Sequence, residues 1–417
     1  MNQIHQLNEN HLEQFVRILA QAYPSGKWYT PDGHAQMMAR MQKVIHEDRS
    51  SRLIGLFREG QMLGGMRLYD YRMNLFGEEV AVGGVGMVAV DLLHKKEKVA
   101  KDLIAFYLRD YRSKGTAFAA LYPFRVDFYK NMGFGIGAKM HEYRVKPASL
   151  PNKGSKQSLC YLTSQDRDEL VACYQRVMKR THGMMAKTAF ESEQLFANPE
   201  HLFVGYRENG ELLGYLVYHF QKAHDENNLL NNLVVKELVY ENPQVLSSFF
   251  AFLHSQNDQI HRIVIRTQDD SFHHLLADPG NGSERMIPHV YHESHASGVG
   301  IMYRVLDTKE AFQQLSHRDF GAQTCRLKLT VRDSFLPEND GSLLVQFNNG
   351  RATLNDREDW DVEIAMDIAA FSSLLVGAVS FKRLHQYELA TISDPSYADV
   401  VNRLFAAQEP PVCMTAF

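Results

Sequence analysis

The stretch from Ala81 to Tyr111, AVGGVGMVAVDLLHKKEKVAKDLIAFYLRDY, decides the fold of this chain. Val85 to Val90 is an apolar run typical of a buried β-strand, and Asp91 to His94 follows it as a short turn. From Lys96 to Tyr111 apolar residues recur at three- and four-residue spacing, which predicts an amphipathic helix. The sequence therefore predicts a strand, a tight loop and a helix in succession.

The loop ahead of this helix is rich in lysine, with Lys95, Lys96 and Lys98 near the helix start. The first turn of a helix leaves about four backbone N–H groups without partners, and the helix dipole adds a partial positive charge there. Lysines are unfavourable at that end unless an anion offsets them, and a diphosphate is such an anion. The alternative is that the three lysines only form a solvated surface.

The residues after this helix continue the alternation of elements. Thr116 to Tyr122 predicts a strand, Asp127 to Met132 predicts a short helix that Gly133 ends, and Phe134 opens a further strand toward Tyr143. Strands and helices that alternate around an anion-binding loop are typical of an α/β coenzyme domain.

Length, composition and charge indicate how many domains the chain has and which classes of protein it does not resemble. The chain has 417 residues, 45% apolar and 23% charged, so we expect two or three folded domains. The net charge of -4, with scattered lysines and arginines, predicts no nucleic-acid partner.

The sequence also limits where the protein is found. The apolar stretch from Phe371 to Phe381 is shorter than the roughly 20 residues of a bilayer span, and the N-terminal sequence resembles no signal peptide, so we expect neither a membrane partner nor secretion. The four cysteines lie far apart, which predicts reduced thiols, a cytoplasmic location and no metal.

A weak internal repeat indicates how the chain is divided. Residues 57–64 and 206–214 share a hairpin pattern, and a helical pattern precedes each copy. A linker rich in proline and lysine, 146–157, separates the copies. We predict domains at 1–148, 149–299 and 300–417. The last has strand patterns at 325–331 and 342–347 and helical patterns at 366–375 and 396–405, so it is predicted to be α+β.

Residues 81–143 resemble the acetyl-CoA-binding half of the GCN5-related N-acetyltransferase (GNAT) superfamily. Val88-Ala89-Val90 matches the superfamily's V-x-V strand, and Lys95-Lys96-Glu97-Lys98-Val99-Ala100 occupies the position of its Gln/Arg-x-x-Gly-x-Gly/Ala pyrophosphate loop. Lys95 replaces Gln or Arg, and Lys98 replaces the first Gly. The segment from Phe128 to Phe134 resembles the superfamily's Y-x-x-x-G-F segment.

Over its full length the chain resembles the enhanced-intracellular-survival (Eis) type of acetyltransferase. The resemblance implies two tandem GNAT-like domains, an α/β and α+β fold, a catalytic first domain and a sterol-carrier-protein-like third domain. It also implies acetyl-CoA as co-substrate, a small-molecule amine such as an aminoglycoside or polyamine as acceptor, and a homohexamer.

The same resemblance assigns roles to individual residues. Tyr129 is at the position of the general acid, and the carboxylate of Phe417, which follows Pro410-Pro411 at the end of the sequence, is at that of the general base. The residues implied in coenzyme binding are Val88, Ala89, Val90, Lys95, Lys96, Glu97, Lys98, Val99, Ala100, Lys101, Phe124 and Arg125.

Two other functions stay open on the sequence. The protein could act as a non-catalytic coenzyme or lipid carrier through its third domain, or it could acetylate lysines of other proteins. Tyr23, Trp28 and Phe76 are candidates to line an amine pocket and are equally compatible with a core.

Overall fold

Apolar residues in alternating and continuous runs form the strands, as expected for half-buried and fully buried sheet positions. The computed structural model describes residues 2–355 and 359–417. In chain order the strands are β1 Gln3–Gln6, β2 Ser51–Arg58, β3 Gln61–Leu75, β4 Glu78–Val90, β5 Phe118–Leu121, β6 Gly135–Ile136, β7 Lys139–Val145, β8 Leu159–Tyr161, β9 Leu202–Glu208, β10 Glu211–Lys222, β11 Asn231–Tyr240, β12 Ile260–Thr267, β13 Met286–Ile287, β14 Tyr291–His292, β15 His295–Val299, β16 Met302–Val305, β17 Cys325–Arg332, β18 Gly341–Asn348, β19 Arg351–Leu354, β20 Val362–Asp367 and β21 Ala390–Ile392.

The helices cover the faces of these strands. They are α1 Leu12–Ala22, α2 Pro31–Glu47, α3 Val99–Ser113, α4 Val126–Lys130, α5 Arg167–Met178, α6 Ala189–Ala197, α7 Pro243–His254, α8 Thr308–Gln314, α9 Ile368–Leu375, α10 Phe381–Gln386 and α11 Ala398–Leu404. Within the described ranges no helix is both long and apolar enough to cross a bilayer.

The first sheet has the strand order β1-β2-β3-β4-β5-β16-β6. Adjacent residues of β2 point to its opposite faces, as the pleat requires. Leu53 packs with α1 and α2, whereas Ile54 packs with α3. The sheet is therefore the middle layer between two groups of helices.

The second sheet repeats this plan with the order β15-β7-β12-β11-β10-β9-β8. The hairpins β2–β3 and β9–β10 contain the two copies of the sequence repeat, and both are antiparallel. The third sheet, β19-β18-β17-β20-β21, shares one core with β3, β5 and β16 of the first sheet. The predicted α/β and α+β fold class is thus confirmed.

Two strands cross the predicted domain limits. β7 precedes residue 148 but lies in the second sheet, and β16 follows residue 300 but completes the first sheet. The prediction of one strand from Phe134 to Tyr143 is wrong, because Gly137 separates β6 from β7. The amide of Gly137 donates to the carbonyl of Ile301 instead of continuing a strand. The first two sheets are consequently linked by exchanged strands, and the domain limits themselves stay a prediction.

Candidate active site

A wedge between β4 and β5 is the starting point of the site. The two strands pair in parallel only from Val82 to Val85, opposite Phe118 to Leu121, and β4 then continues alone on that side to Val90. Just after Val85, a bulge interrupts the β3–β4 pairing. Met87 in this bulge has a φ of 53°, which is unusual for a residue with a side chain. Backbone of β4 is thereby left facing the wedge.

A cavity of about 790 Å³ lies along this part of β4, and we call it the lysine cavity. It is lined by most of the residues predicted to bind coenzyme, namely Val88, Val90, Lys95, Lys96, Lys98, Val99, Ala100, Lys101, Phe124 and Arg125. Ala89 and Glu97 do not line it. Ala89 is in the core beneath α1, because alternate strand residues face opposite sides. Glu97 is paired with Arg58 at 2.6 Å.

The loop at the start of α3 differs from its predicted geometry. The helix begins at Val99 rather than Lys96, because Lys96 and Lys98 have φ values of 68° and 65°. These left-handed conformations favour glycine, so the two lysines carry backbone strain. Strain of this kind often accompanies a functional site. The free N–H groups of the first turn and several ammonium groups meet at the lysine cavity.

A second cavity, of about 740 Å³, lies next to the first, and we call it the central cavity. Tyr23, Val88 and Phe124 line both cavities. Other walls of the central cavity come from α2, β3, α6, β11 and residues 414–417, so all three parts of the chain contribute to it. Trp28 is also in its wall, whereas Phe76 lines neither cavity and stacks on His182 at a ring distance of 4.0 Å.

Phe417 reaches the central cavity although it is distant in sequence from β4. Its carbonyl carbon is 2.7 Å from the position that a Cβ would occupy at Gly86. Its ring contacts those of Tyr71 and Tyr122, each at a centroid distance of 5.2 Å, and of Tyr69 at 5.8 Å. These aromatic contacts hold the end of the chain beside the wedge.

The second domain guides this tail toward the first domain. The amide of Val412 donates to the carbonyl of His182 at 2.9 Å. The amide of Cys413 donates to Oε1 of Gln268 at 2.6 Å in a buried position. Sequence reasoning did not identify Gln268, because nothing in the pattern around it differs from an ordinary strand end.

Tyr129 also lines the central cavity. It is only 2% exposed, and the rings of Phe124, Phe128 and Phe134 meet its ring edge to face. Gly133 ends the turn after it with a φ of 82°. Burial raises the pKa of Tyr129 above its ordinary value, and the nearby Tyr23 adds to the shift. The phenol therefore keeps its proton at neutral pH.

The structure offers no metal centre in the two ranges that it describes, since no group of three or more His, Cys, Asp or Glu side chains is arranged to hold an ion.

Comparison with known families agrees with this geometry. Residues 3–137 match the acetyltransferase (GNAT) domain family Acetyltransf_9, and residues 177–305 match a second acetyltransferase (GNAT) family, Acetyltransf_17. Residues 309–414 match a sterol carrier protein domain. The sequence matches none of the curated proteins.

Solved structures share the fold over the whole chain. A GCN5-related N-acetyltransferase from Anabaena variabilis has a TM-score of 0.80 at 15% identity. A probable N-acyltransferase from Enterococcus faecalis has a TM-score of 0.82 at 15% identity, and Eis1 from Mycobacterium abscessus has 0.77 at 19%. Each alignment covers 100% of both chains.

Two GNAT domains make this chain an acyltransferase of the GNAT class. A sterol carrier protein domain follows them, and the chain as a whole shares its overall fold with Eis1. The chain therefore carries two GNAT acetyltransferase domains and a sterol carrier protein domain.

Proposed function

We propose that this protein transfers the acetyl group of acetyl-CoA to a primary amine of a small molecule, with Tyr129 as general acid and the Phe417 carboxylate as general base. The observation that carries the proposal is the meeting of the lysine and central cavities at Tyr23, Val88 and Phe124. A thioester that lies along β4 from the lysine cavity would present its carbonyl carbon to the central cavity, where Tyr129 and Phe417 both reach.

The lysine cavity fits the phosphates of a coenzyme. Lys95, Lys96 and Lys98 line it close to the start of α3, where unpaired N–H groups attract an anion. The unpaired part of β4 fits the amide-rich arm of coenzyme A, because an extended chain can add to an open strand edge. Ala89 would contribute through its backbone alone.

The reaction needs a general base and a general acid. An ammonium group has a pKa near 10 in model compounds and is not nucleophilic, so a base must first remove a proton from it. The Phe417 carboxylate accepts that proton, directly or through water. The neutral amine then forms a C–N bond with the thioester carbon.

Collapse of the resulting adduct breaks the C–S bond. The departing thiolate takes the phenol proton of Tyr129, and the extra proton on nitrogen passes, directly or through water, to the phenolate that remains. The proton held by the Phe417 carboxylate is released to solvent, so both residues return to their starting states. The products are an N-acetylated amine and the free thiol of coenzyme A. Because the pKa of Tyr129 is raised by burial, this residue enters each cycle protonated.

Release of the coenzyme A thiol in the presence of an amine panel tests the proposal. Spermidine and kanamycin represent the polyamine and aminoglycoside classes that the resemblance implies, and a lysine-containing peptide represents a protein acceptor. Absence of thiol release with every amine would leave the carrier function, and release with the peptide alone would indicate a protein lysine acetyltransferase.

Removal of Phe417 tests the base. We expect turnover to fall by roughly 10²-fold or more, the scale of general base catalysis. Phe417→Leu is the matched control, since it keeps the carboxylate and an apolar side chain, and an intact-mass measurement verifies that Phe417 ends the protein. An unchanged rate after removal would exclude the terminus from catalysis.

The resemblance also predicts a homohexamer in the cytoplasm. Light scattering of the purified protein measures the assembly, and fractionation of cells measures the location.

A further inference from the structure

The central cavity contains more charge than the acetyl transfer requires. Arg67 and Asp48 form a buried pair at 2.6 Å, and Asp48 also accepts hydrogen bonds from Ser50 and Ser51. Lys187 pairs with Glu237 at 2.8 Å. These two pairs are internally neutral, so they leave no net charge for a ligand.

Arg40, on α2, is a cation without such a partner. It lines the central cavity and makes no ion pair or hydrogen bond with any residue in 2–355 or 359–417. The Arg40 side chain stays exposed at the cavity, and partial loss of hydration together with repulsion from Arg67 lowers its pKa. Because the Asp48 carboxylate pairs with Arg67 alone, the two neighbouring guanidinium groups have one positive charge in excess. An anion at this position would remove the excess.

Tyr69 supplies a second polar group beside Arg40 in the cavity wall. It is 9% exposed and lines the central cavity, and its hydroxyl donates no hydrogen bond to another residue of the described ranges. Arg40 and Arg67 both act electrostatically on this phenol. Because Tyr69 lines the open cavity, its hydroxyl is available to donate a hydrogen bond to a ligand atom near the two arginines.

Glu191, on α6, has the opposite charge and lines the same cavity. One of its carboxylate oxygens accepts from the amide of Thr188 at 2.8 Å, and the other is 3.5 Å from the hydroxyl of Tyr71. No lysine, arginine or histidine in the described part of the chain lies within ion-pair distance of it. Since the ring of Tyr71 also contacts Phe417, this carboxylate is on the side of the cavity where the amine reacts.

We propose that the acetyl acceptor is amphoteric: it carries an anionic group that Arg40 and Tyr69 bind, in addition to the amine that Glu191 and Phe417 receive. The proposal rests on the function proposed above and narrows its substrate class. A free amino acid with a side-chain amine has this chemistry, as does an amine that carries a phosphate. A plain diamine lacks the anionic group.

Matched acceptor pairs test this class. Lysine and cadaverine differ by a carboxylate, and phosphoethanolamine and ethanolamine differ by a phosphate. We expect kcat/KM for the anionic member of at least one pair to exceed that of the plain amine by roughly 10- to 100-fold, the range of a hydrogen bond between charged groups. The pair that shows the preference identifies the anionic group.

Arg40→Gln should abolish this preference by lowering kcat/KM for the anionic member alone. Arg17→Gln, an exposed arginine on α1 outside both cavities, is the matched control and should keep the preference. Thermal unfolding of both variants verifies that they are folded, and Arg40→Lys, which keeps the charge, should retain part of the preference.

Equal rates within both pairs, or a preference that survives Arg40→Gln, would overturn the amphoteric acceptor and leave the acetyltransferase intact. If no amine releases thiol, the proposed function fails instead, and calorimetry of lysine and phosphoethanolamine with the coenzyme-A-loaded protein decides the anion site. Binding that Arg40→Gln weakens supports the site, and absence of binding rejects it.

Discussion

The carbonyl carbon of Phe417 lies 2.7 Å from the point where a side chain at Gly86 would begin. This contact joins the end of the chain to the middle of β4 and leaves no room for a methyl group, because real Cβ atoms do not approach so closely. Gly86 is therefore a steric requirement for the position of Phe417.

Gly86→Ala should displace the end of the chain and lower turnover by roughly 10-fold or more, since a misplacement of about 1 Å can reduce a rate 10²-fold. Gly298→Ala is the control, because a Cβ at Gly298 meets nothing within 4 Å. Steady-state kinetics of the two variants measures the effect, and equal rates would contradict the tight contact.

Tyr129→Phe should lower kcat by roughly 10²- to 10⁴-fold while KM for acetyl-CoA changes little, because only the proton donor is removed. Tyr161→Phe, an exposed tyrosine of the second domain, is the matched control. A defect confined to coenzyme binding would instead indicate that Tyr129 serves packing.

Lys98→Gly should raise stability and weaken coenzyme binding together. Glycine relieves the left-handed backbone at Lys98 by up to about 1 kcal/mol, while loss of the ammonium removes an attraction to phosphate. Lys98→Ala separates the two effects, because it removes the charge and keeps the strain. We expect KM for acetyl-CoA to rise equally in both variants and Tm to be higher for Lys98→Gly than for Lys98→Ala. Equal Tm values for the two variants would argue against strain at this position.

Gln268→Leu should lower kcat, because the buried amide of Cys413 loses its acceptor and the tail loses a point of attachment. Gln268→Glu keeps an oxygen at the same position and should restore most of the rate. Steady-state kinetics should show a lower kcat for Gln268→Leu with little change in KM for acetyl-CoA. Recovery of kcat in Gln268→Glu would distinguish loss of the hydrogen bond from a general loss of stability.

His182 should make stability depend on pH at the junction of the three domains. Burial lowers the pKa of His182 to about 4, although its Nε2 is 2.9 Å from the carbonyl of Val376. The amide of Phe76 donates to Nδ1 at 3.2 Å, so protonation of that nitrogen would oppose two donors. The unfolded chain binds the proton more readily, with a pKa near 6.5.

The stability contributed by neutral His182 is therefore complete above about pH 6.5 and is lost as the pH falls toward 4. We expect the free energy of unfolding to fall by about 3 kcal/mol over this window, and His182→Gln to flatten the decline. Denaturant unfolding at several pH values measures it. An equally steep decline in the variant would assign the effect to other groups.

Local patterns predicted the strand, loop and helix around Val88 because their signals lie within a few residues of one another. The start of α3 was misjudged because lysine ordinarily continues a helix, and only the left-handed backbone at Lys96 and Lys98 delays it to Val99.

The central cavity could not be predicted in the same way. Arg40 and Glu191 belong to helices of different domains, and neither has a local signal of function. Only the three-dimensional arrangement brings them to one cavity. Phe417 was identified through resemblance, since nothing in an apolar terminal residue indicates its neighbours.

The exchange of β16 has a consequence for how the protein is made. On a ribosome, the two-residue strand β6 and the edge of β5 emerge well before their shared neighbour β16 has been synthesised. At ordinary rates of translation the interval from Ile136 to Met302 lasts roughly 10 to 30 s. During that time the nascent first sheet has an open edge beside an apolar surface, so the growing chain is most vulnerable to misassociation before its second domain is complete.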